Sequence, residues 1–238
     1  AAAGGKGRHG SPPEEARQMF ALLGQLHGER EEVAAVEDRT VPGPAGDIPV
    51  RIYTPREGTA PYPVVVFFHG GGFVIGDLDT HDQVCRQLAN GGRALLVAVD
   101  YRLAPEHPWP AAPDDCLAAT DWVLAHAAEL GGDPSRVGVA GDSAGGNLAA
   151  VVAQARRDRL QAQVLIYPAT DLSMGHDSIT ENGEGYLLTK EGMEWFMSHY
   201  APEVEDVRCS PLNNLDLSGL PKTLIITAEF DPLRDEGE

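Results

Sequence analysis

Runs of consecutive apolar residues alternate along this chain with stretches whose apolar positions recur every three or four residues. "PVVVFF", "ALLVAV" and "QVLIY" are apolar at successive positions, as strands covered on both faces require. They predict strands at 63–68, 94–99 and 162–167, joined by a shorter one at 136–140 and a last one, "KTLIITA", at 222–228. The intervening segments predict helices at about 78–90, 112–130 and 144–157. Strands alternating with helices argue for a mostly parallel α/β sheet. Upstream, "VEDRTVPGPAGDIPVRIYTP" reads as a hairpin turned by Gly and Pro. "SPPEEARQMFALLGQL" reads as a helix opened by Ser11, Pro12 and Glu14, with Met19, Phe20, Leu22, Leu23 and Leu26 on one side.

Two departures from the pattern matter. The segment 170–218 is too long for a plain connection and carries its own aromatic helix around Met193, Trp195, Phe196 and Tyr200, so it reads as a lid. The helix at 144–157 runs through "RRDRLQAQ" into the next strand with no Gly or Pro to stop it. That abruptness suggests that residues are missing from the chain there.

Composition narrows the function classes. A net charge of −18, with only 3 of the 18 basic residues being Lys, repels phosphate backbones, so no nucleic-acid partner is expected. No run of eighteen apolar residues could span a membrane. "AAAGGKGRHGS" has no apolar core of signal-peptide length. The expected location is the cytoplasm, although a chain that does not begin with Met leaves its true start open. Cys85, Cys116 and Cys209 are odd in number and far apart, which suits reduced thiols. The eight histidines show no metal-ligand spacing, and no metal or other cofactor is expected.

The chemistry gathers at two glycine-rich turns. Gly141-Asp142-Ser143-Ala144-Gly145 is a G-x-S-x-G that follows an apolar strand and opens a helix, the context of a nucleophile elbow. The sharp turn admits only glycines two residues either side of Ser143. Strand 63–68 ends in His69, Gly70, Gly71 and Gly72. Attack by Ser143 on an acyl carbonyl would leave a negative oxygen, for which preorganised N–H donors are worth about 3–4 kcal/mol each. Gly71, Gly72 and Ala144 could supply them. No Lys-Ser/Thr follows, so a phosphate loop fits poorly. Asp231, beyond the last strand, is the leading acid, with Asp171 and Glu229 as rivals. Asp142 reads as a local turn carboxylate and His69 as a residue that shapes the loop.

"HGGG", "VDYRLAPEHPWPAA", "GDSAGGNLA" and "DPLRDEG" stand in the order found in the hormone-sensitive-lipase-like branch of the α/β-hydrolases, which this chain resembles from about residue 47 onward. The resemblance implies a central, mostly parallel sheet with helices on both faces. It divides the chain into an N-terminal lid part (1–45), a core (46–169), the lid segment (170–218) and a last core stretch (219–238). It implies Ser143 as nucleophile, Asp231 as triad acid, and Gly71, Gly72 and Ala144 as oxyanion donors. Arg102, Glu106 and His107 are then structural. The implied activity is carboxylester hydrolysis on a small acyl ester, with self-association as a homodimer left open. Triad order demands a histidine after Asp231. Seven residues follow it and none is histidine, so the implied C-terminal helix, strand and His-bearing loop are absent from these 238 residues. The alternatives are a related amidase, deacetylase or lactonase, or a non-catalytic ligand-binding protein. The plant gibberellin receptor resembles this branch, keeps the pocket and lacks a working histidine.

Overall fold

The computed structural model describes residues 11–24 and 28–238. Seven strands form one sheet in the order β1-β2-β4-β3-β5-β6-β7. The hairpin β1 (Ala35–Gly43) and β2 (Gly46–Thr54) is antiparallel, and β2 pairs antiparallel with β4 (Leu95–Val99). From β4 the sheet is parallel through β3 (Tyr62–Phe68), β5 (Gly132–Asp142), β6 (Ala162–Ile166) and β7 (Lys222–Ile226). β5 begins earlier than its apolar residues suggest, because Gly132 pairs with Tyr62 across a register shift before Val137 meets Val64.

Helices α2 (Asp82–Gly92), α3 (Ala111–His126) and α4 (Ala144–Ala155) connect the strands. α3 and α4 sit over one large apolar cluster with Val64, Val66, Phe68, Val97, Val99 and Val139. The opposite face, with Tyr53, Phe67, Leu96, Ala98 and Ala140, packs on Cys85 and Ala89 of α2. Side chains of this size stabilise the fold by about 1.5–3 kcal/mol each when fully buried.

Both faces of the central strands are therefore covered, but the covering stops before the edge. β6 alternates buried Gln163 and Leu165 with half-exposed neighbours, and every residue of β7 is exposed. Leu224, Ile225 and Ile226 all expose more than 40% of their surface. Among the described residues β6 is half covered and β7 is bare on both faces. The connection from α4 to β6 needs neither Gly nor Pro. Arg156 leaves the helix at φ −127°, its carbonyl accepts the N–H groups of Arg159 and Leu160, and Gln161 N–H reaches the Val137 carbonyl. Residues 156–161 close the reversal without an insertion.

α1 (Pro13–Gly24) lies across the C-terminal ends of the strands. Its apolar side divides: Phe20 and Leu23 face a cavity, whereas Met19 and Leu22 are more than half exposed. Leu26 falls outside the described residues. Arg17 anchors the helix, donating to both carboxylate oxygens of Glu106 at 2.8 and 2.6 Å and to the Val74 and Ala104 carbonyls. The 170–218 segment contributes α5 (Asp177–Glu181), α6 (Lys190–Tyr200) and a 3-10 turn at Pro211–Asn213, and a short α7 (Arg234–Gly237) ends the chain. α6 is capped by the Thr189 side chain and locked down by Tyr200, which stacks on Phe73 at 4.0 Å and accepts the Trp109 N–H on its carbonyl.

The "YRLAPEHP" stretch is structural, as expected. Arg102 grips the fully buried Asp115 with two guanidinium bonds at 2.8 Å, and its backbone N–H adds a third at 3.0 Å. Removing one partner of such a pair leaves an uncompensated buried charge, which costs about 3–5 kcal/mol. An Arg102→Ala variant, which leaves Asp115 buried without its cation, should therefore unfold at distinctly lower urea concentration with an unchanged m-value, as read by equilibrium denaturation.

Candidate active site

Ser143 stands at the junction of β5 and α4 with φ 54° and ψ −118°, a conformation L-residues avoid. Its backbone is clamped on both sides: its N–H reaches the Ile166 carbonyl at 2.9 Å, and its carbonyl accepts from Asn147 and Ala169. The flanking glycines are sterically compelled. A Cβ on Gly145 would overlap the Phe68 carbonyl oxygen, and one on Gly141 would overlap the Gly145 carbonyl. Ala144 is the first residue of α4, where backbone N–H groups have no intrahelical acceptor.

The second glycine turn meets the first through Asp142, whose carboxylate accepts the Gly70 N–H at 2.9 Å. Gly71 (φ 124°) and Gly72 (φ 59°) then turn in the left-handed half of conformational space. A side chain at Gly71 would collide with Ile75, and one at Gly72 with the Phe196 ring. The loop is thus held by one carboxylate and covered by an aromatic of the 170–218 segment.

His69 lies beneath this loop. It is buried, stacks on Tyr101 at 4.3 Å, and places Nδ1 2.8 Å from the Gly70 carbonyl oxygen. Burial, with His81 nearby, pushes its imidazole down to about 4. The neutral ring therefore carries its proton on Nδ1, since a carbonyl can only accept. His69 shapes the loop, as anticipated. His81 joins it from above: Nε2 is 3.6 Å from Asp142 Oδ1, and Nδ1 is 3.1 Å from the Thr80 hydroxyl. Nothing in "DTHDQ" signals that the His81 ring meets a carboxylate some sixty residues on.

Gly70, Gly71, Gly72, Asp142, Ser143 and Asp231 all line one cavity of about 530 Å³. Its walls come from α1 (Phe20, Leu23), from the 170–218 segment (Leu187, Leu188, Phe196) and from Tyr167 and Phe230. Asp231 receives the Leu233 N–H at 2.9 Å, and burial pushes its carboxyl up from the ordinary value. A carboxylate so placed gains from a cationic or N–H partner. Among the described residues, no hydrogen bond reaches the Ser143 hydroxyl and no imidazole pairs with Asp231. Of the two rival acids, Asp171 is engaged by Ser173 and by His176 Nε2 at 3.0 Å, and Glu229 is exposed.

A side pocket of about 50 Å³ opens beside Ser143 and Ala144, walled by Leu172, Met174, Met193, Met197 and Glu236. Glu236 is buried, and its Oε1 accepts the Asp171 N–H at 3.3 Å. Among the described residues no cluster of His, Cys, Asp and Glu could hold a metal ion, and no helix is long and apolar enough to cross a membrane.

A family model described as the alpha/beta hydrolase fold matches residues 65–238. The chain is 51% identical over 214 residues to carboxylesterase NlhH of Mycobacterium tuberculosis, covering 85% of this chain and 67% of that one. It is 49% identical over 216 residues to the carboxylic ester hydrolase LipN of the same organism, covering 85% of this chain and 57% of LipN. The hyperthermophilic esterase of Pyrobaculum calidifontis superposes with a TM-score of 0.92 at 45% identity, covering 97% of this chain and 77% of that one. This chain belongs to the α/β-hydrolase family, in its hormone-sensitive-lipase-like branch.

The titration of Glu236 gives a test of the site's electrostatics. Burial, with Asp171 and Asp231 close by, pushes its carboxyl up to about 8. The folded state therefore holds a proton that the unfolded chain has released, and stability from this group is lost as pH rises toward and through 8. The melting temperature should fall between pH 5 and 9 more steeply for the wild type than for Glu236→Gln, as measured by a thermal scan at each pH.

Proposed function

We propose that this protein is a carboxylesterase that hydrolyses short- and medium-chain acyl esters through an acyl-enzyme on Ser143. The observation that carries this reading is the strained Ser143, clamped at the strand–helix turn in one cavity with Gly71, Gly72 and Asp231. Strain at that position serves to project a nucleophile above the sheet, which an incidental serine would not need. The 38–51% identity to proteins named as carboxylesterases and ester hydrolases supports the same reaction.

In this reading Ser143 Oγ attacks the ester carbonyl carbon while a histidine takes its proton. The carbonyl oxygen, now negative, accepts N–H groups of Gly71, Gly72 and Ala144. The carbon–oxygen bond to the alcohol breaks, and the histidine returns the proton to the departing oxygen. Water then attacks the acyl-enzyme by the reverse proton path, releasing the acid and restoring Ser143. Asp231 holds the imidazole in the correct tautomer and stabilises its charged form. That histidine is supplied by sequence outside these 238 residues; the chain spans 57–67% of the length of the Mycobacterium tuberculosis relatives it matches.

α1 and the 170–218 segment act together as a lid, a reading supported by Phe20, Leu23, Leu187 and Phe196 in the cavity wall. A cytoplasmic location is supported by three cysteines that are all buried and unpaired.

Ser143→Ala should abolish turnover of p-nitrophenyl butyrate with an unchanged circular dichroism spectrum; retained turnover would sink the assignment. The intact mass of the purified protein tests the source of the base. A value several kilodaltons above 25.4 kDa is expected, and a mass of 25.4 kDa in an active protein would show that the base lies within these residues.

A further inference from the structure

The turn that carries Gly71 and Gly72 is held from outside itself. Gly71, Gly72 and Phe73 follow one another at φ 124°, 59° and 64°, a left-handed run that ends on a bulky side chain. Such a backbone persists only where its surroundings over-determine it. Inside the turn, the Gly71 carbonyl accepts the Val74 and Ile75 N–H groups at 3.1 and 3.0 Å. From outside, the Ala104 N–H reaches the Phe73 carbonyl and Arg17 Nε reaches the Val74 carbonyl, each at 2.9 Å. The same guanidinium donates through Nη2 to the Ala104 carbonyl at 2.9 Å. One side chain of α1 thus fastens the turn to the segment it leans on.

Stability alone does not account for this arrangement. The Arg17 and Glu106 side chains are 24% and 55% exposed, and an ion pair so exposed stabilises a fold little. Of α1's residues only Ala16 is buried. The helix also meets the other end of the turn. There the Phe20 ring lies 6.0 Å from that of His81, which stands beside the Asp142 carboxylate that accepts the Gly70 N–H.

We propose that Arg17 is a positioning residue for ester hydrolysis, holding the turn so that Gly71 and Gly72 present their N–H groups to the oxyanion. The proposal rests on the esterase reading given above. Glu106 fixes the plane of the guanidinium through two bonds, and that planar fork spans both carbonyls where an ammonium would reach one. α1 is then part of the catalytic device as well as a wall of the cavity. Misplaced donors weaken binding of the negative oxygen and leave ground-state binding almost intact, so the loss falls on kcat. Acylation and deacylation both pass through that oxygen, so kcat falls whichever step is slower.

The test measures kcat and KM of the full-length protein on p-nitrophenyl acetate and p-nitrophenyl butyrate. Alongside them it measures inhibition by a trifluoromethyl ketone, which adds to Ser143 as a tetrahedral oxyanion. Arg17→Ala should lower kcat by about tenfold or more on both esters with KM little changed, and weaken the ketone by a similar factor. Arg17→Lys, which keeps the pair with Glu106 and one carbonyl, should fall between that variant and the wild type. Leu23→Ala, a change to the cavity wall, should instead raise KM, and more for the butyrate than for the acetate. An Arg17→Ala protein that behaves as Leu23→Ala does, with kcat and ketone affinity retained, overturns the proposal. If urea denaturation shows that Arg17→Ala does not fold, Arg17→Lys decides alone, and wild-type kcat and ketone affinity in it overturn the proposal. Each of these outcomes retains ester turnover in the wild type and so leaves the esterase reading standing. A wild type that turns over neither ester, and whose Ser143 is not labelled by a fluorophosphonate, would instead remove the esterase reading and this assignment with it.

Discussion

The turn at Ser143 is the constraint around which the rest of this molecule is arranged. A serine at φ 54° sits there because its backbone is bonded to both β6 and α4 and because the residues two positions to either side, Gly141 and Gly145, have no side chains. Gly145 lies so close to the end of β3 that a methyl group would strike the Phe68 carbonyl. That proximity brings the β3 glycine loop within reach of Asp142, and the Asp142–Gly70 bond converts two separate turns into one rigid wall. The loop's shape is then maintained from below by neutral His69 on Tyr101 and from the side by His81. Strain in one residue is held by packing spread over three strands.

Much of this was legible in the sequence because it is local. Buried strands announce themselves as unbroken apolar runs, and glycines bracketing a serine between a strand and a helix describe their own turn. What escaped the reading depends on contacts made across long stretches of chain. His81 and Glu236 look like ordinary surface residues until the fold sets them against Asp142 and Asp171. The absence of a helix stop before β6 also misled, since a helix can end through carbonyls turning to new donors in a six-residue turn.

Two cavities of unequal size meet at the serine turn and share Gly72, Ser143, Leu188, Phe196 and Leu233. The wide cleft is bounded by α1, the lid segment and exposed aromatics, so its walls are the least constrained part of the site. The small pocket is enclosed by α6, the segment that follows β6 (Ala169, Leu172, Met174) and α7, beside the rigid serine turn. The buried carboxyl of Glu236 belongs to the constrained side, where its position is tied through the Asp171 N–H to the end of β6.

The anchoring of α1 has a different kind of consequence. Arg17, through Glu106 and two carbonyls, and the buried Ala16 attach it, while Phe20 and Leu23 reach the cavity. Attachment and contact are thus encoded by separate positions on the same short helix. Mutational drift can then refashion the helix's inner surface, residue by residue, without setting the helix adrift. A lineage that retains the arginine and its glutamate keeps a permanent hinge point on which new substrate preferences can be tried at little risk to the fold.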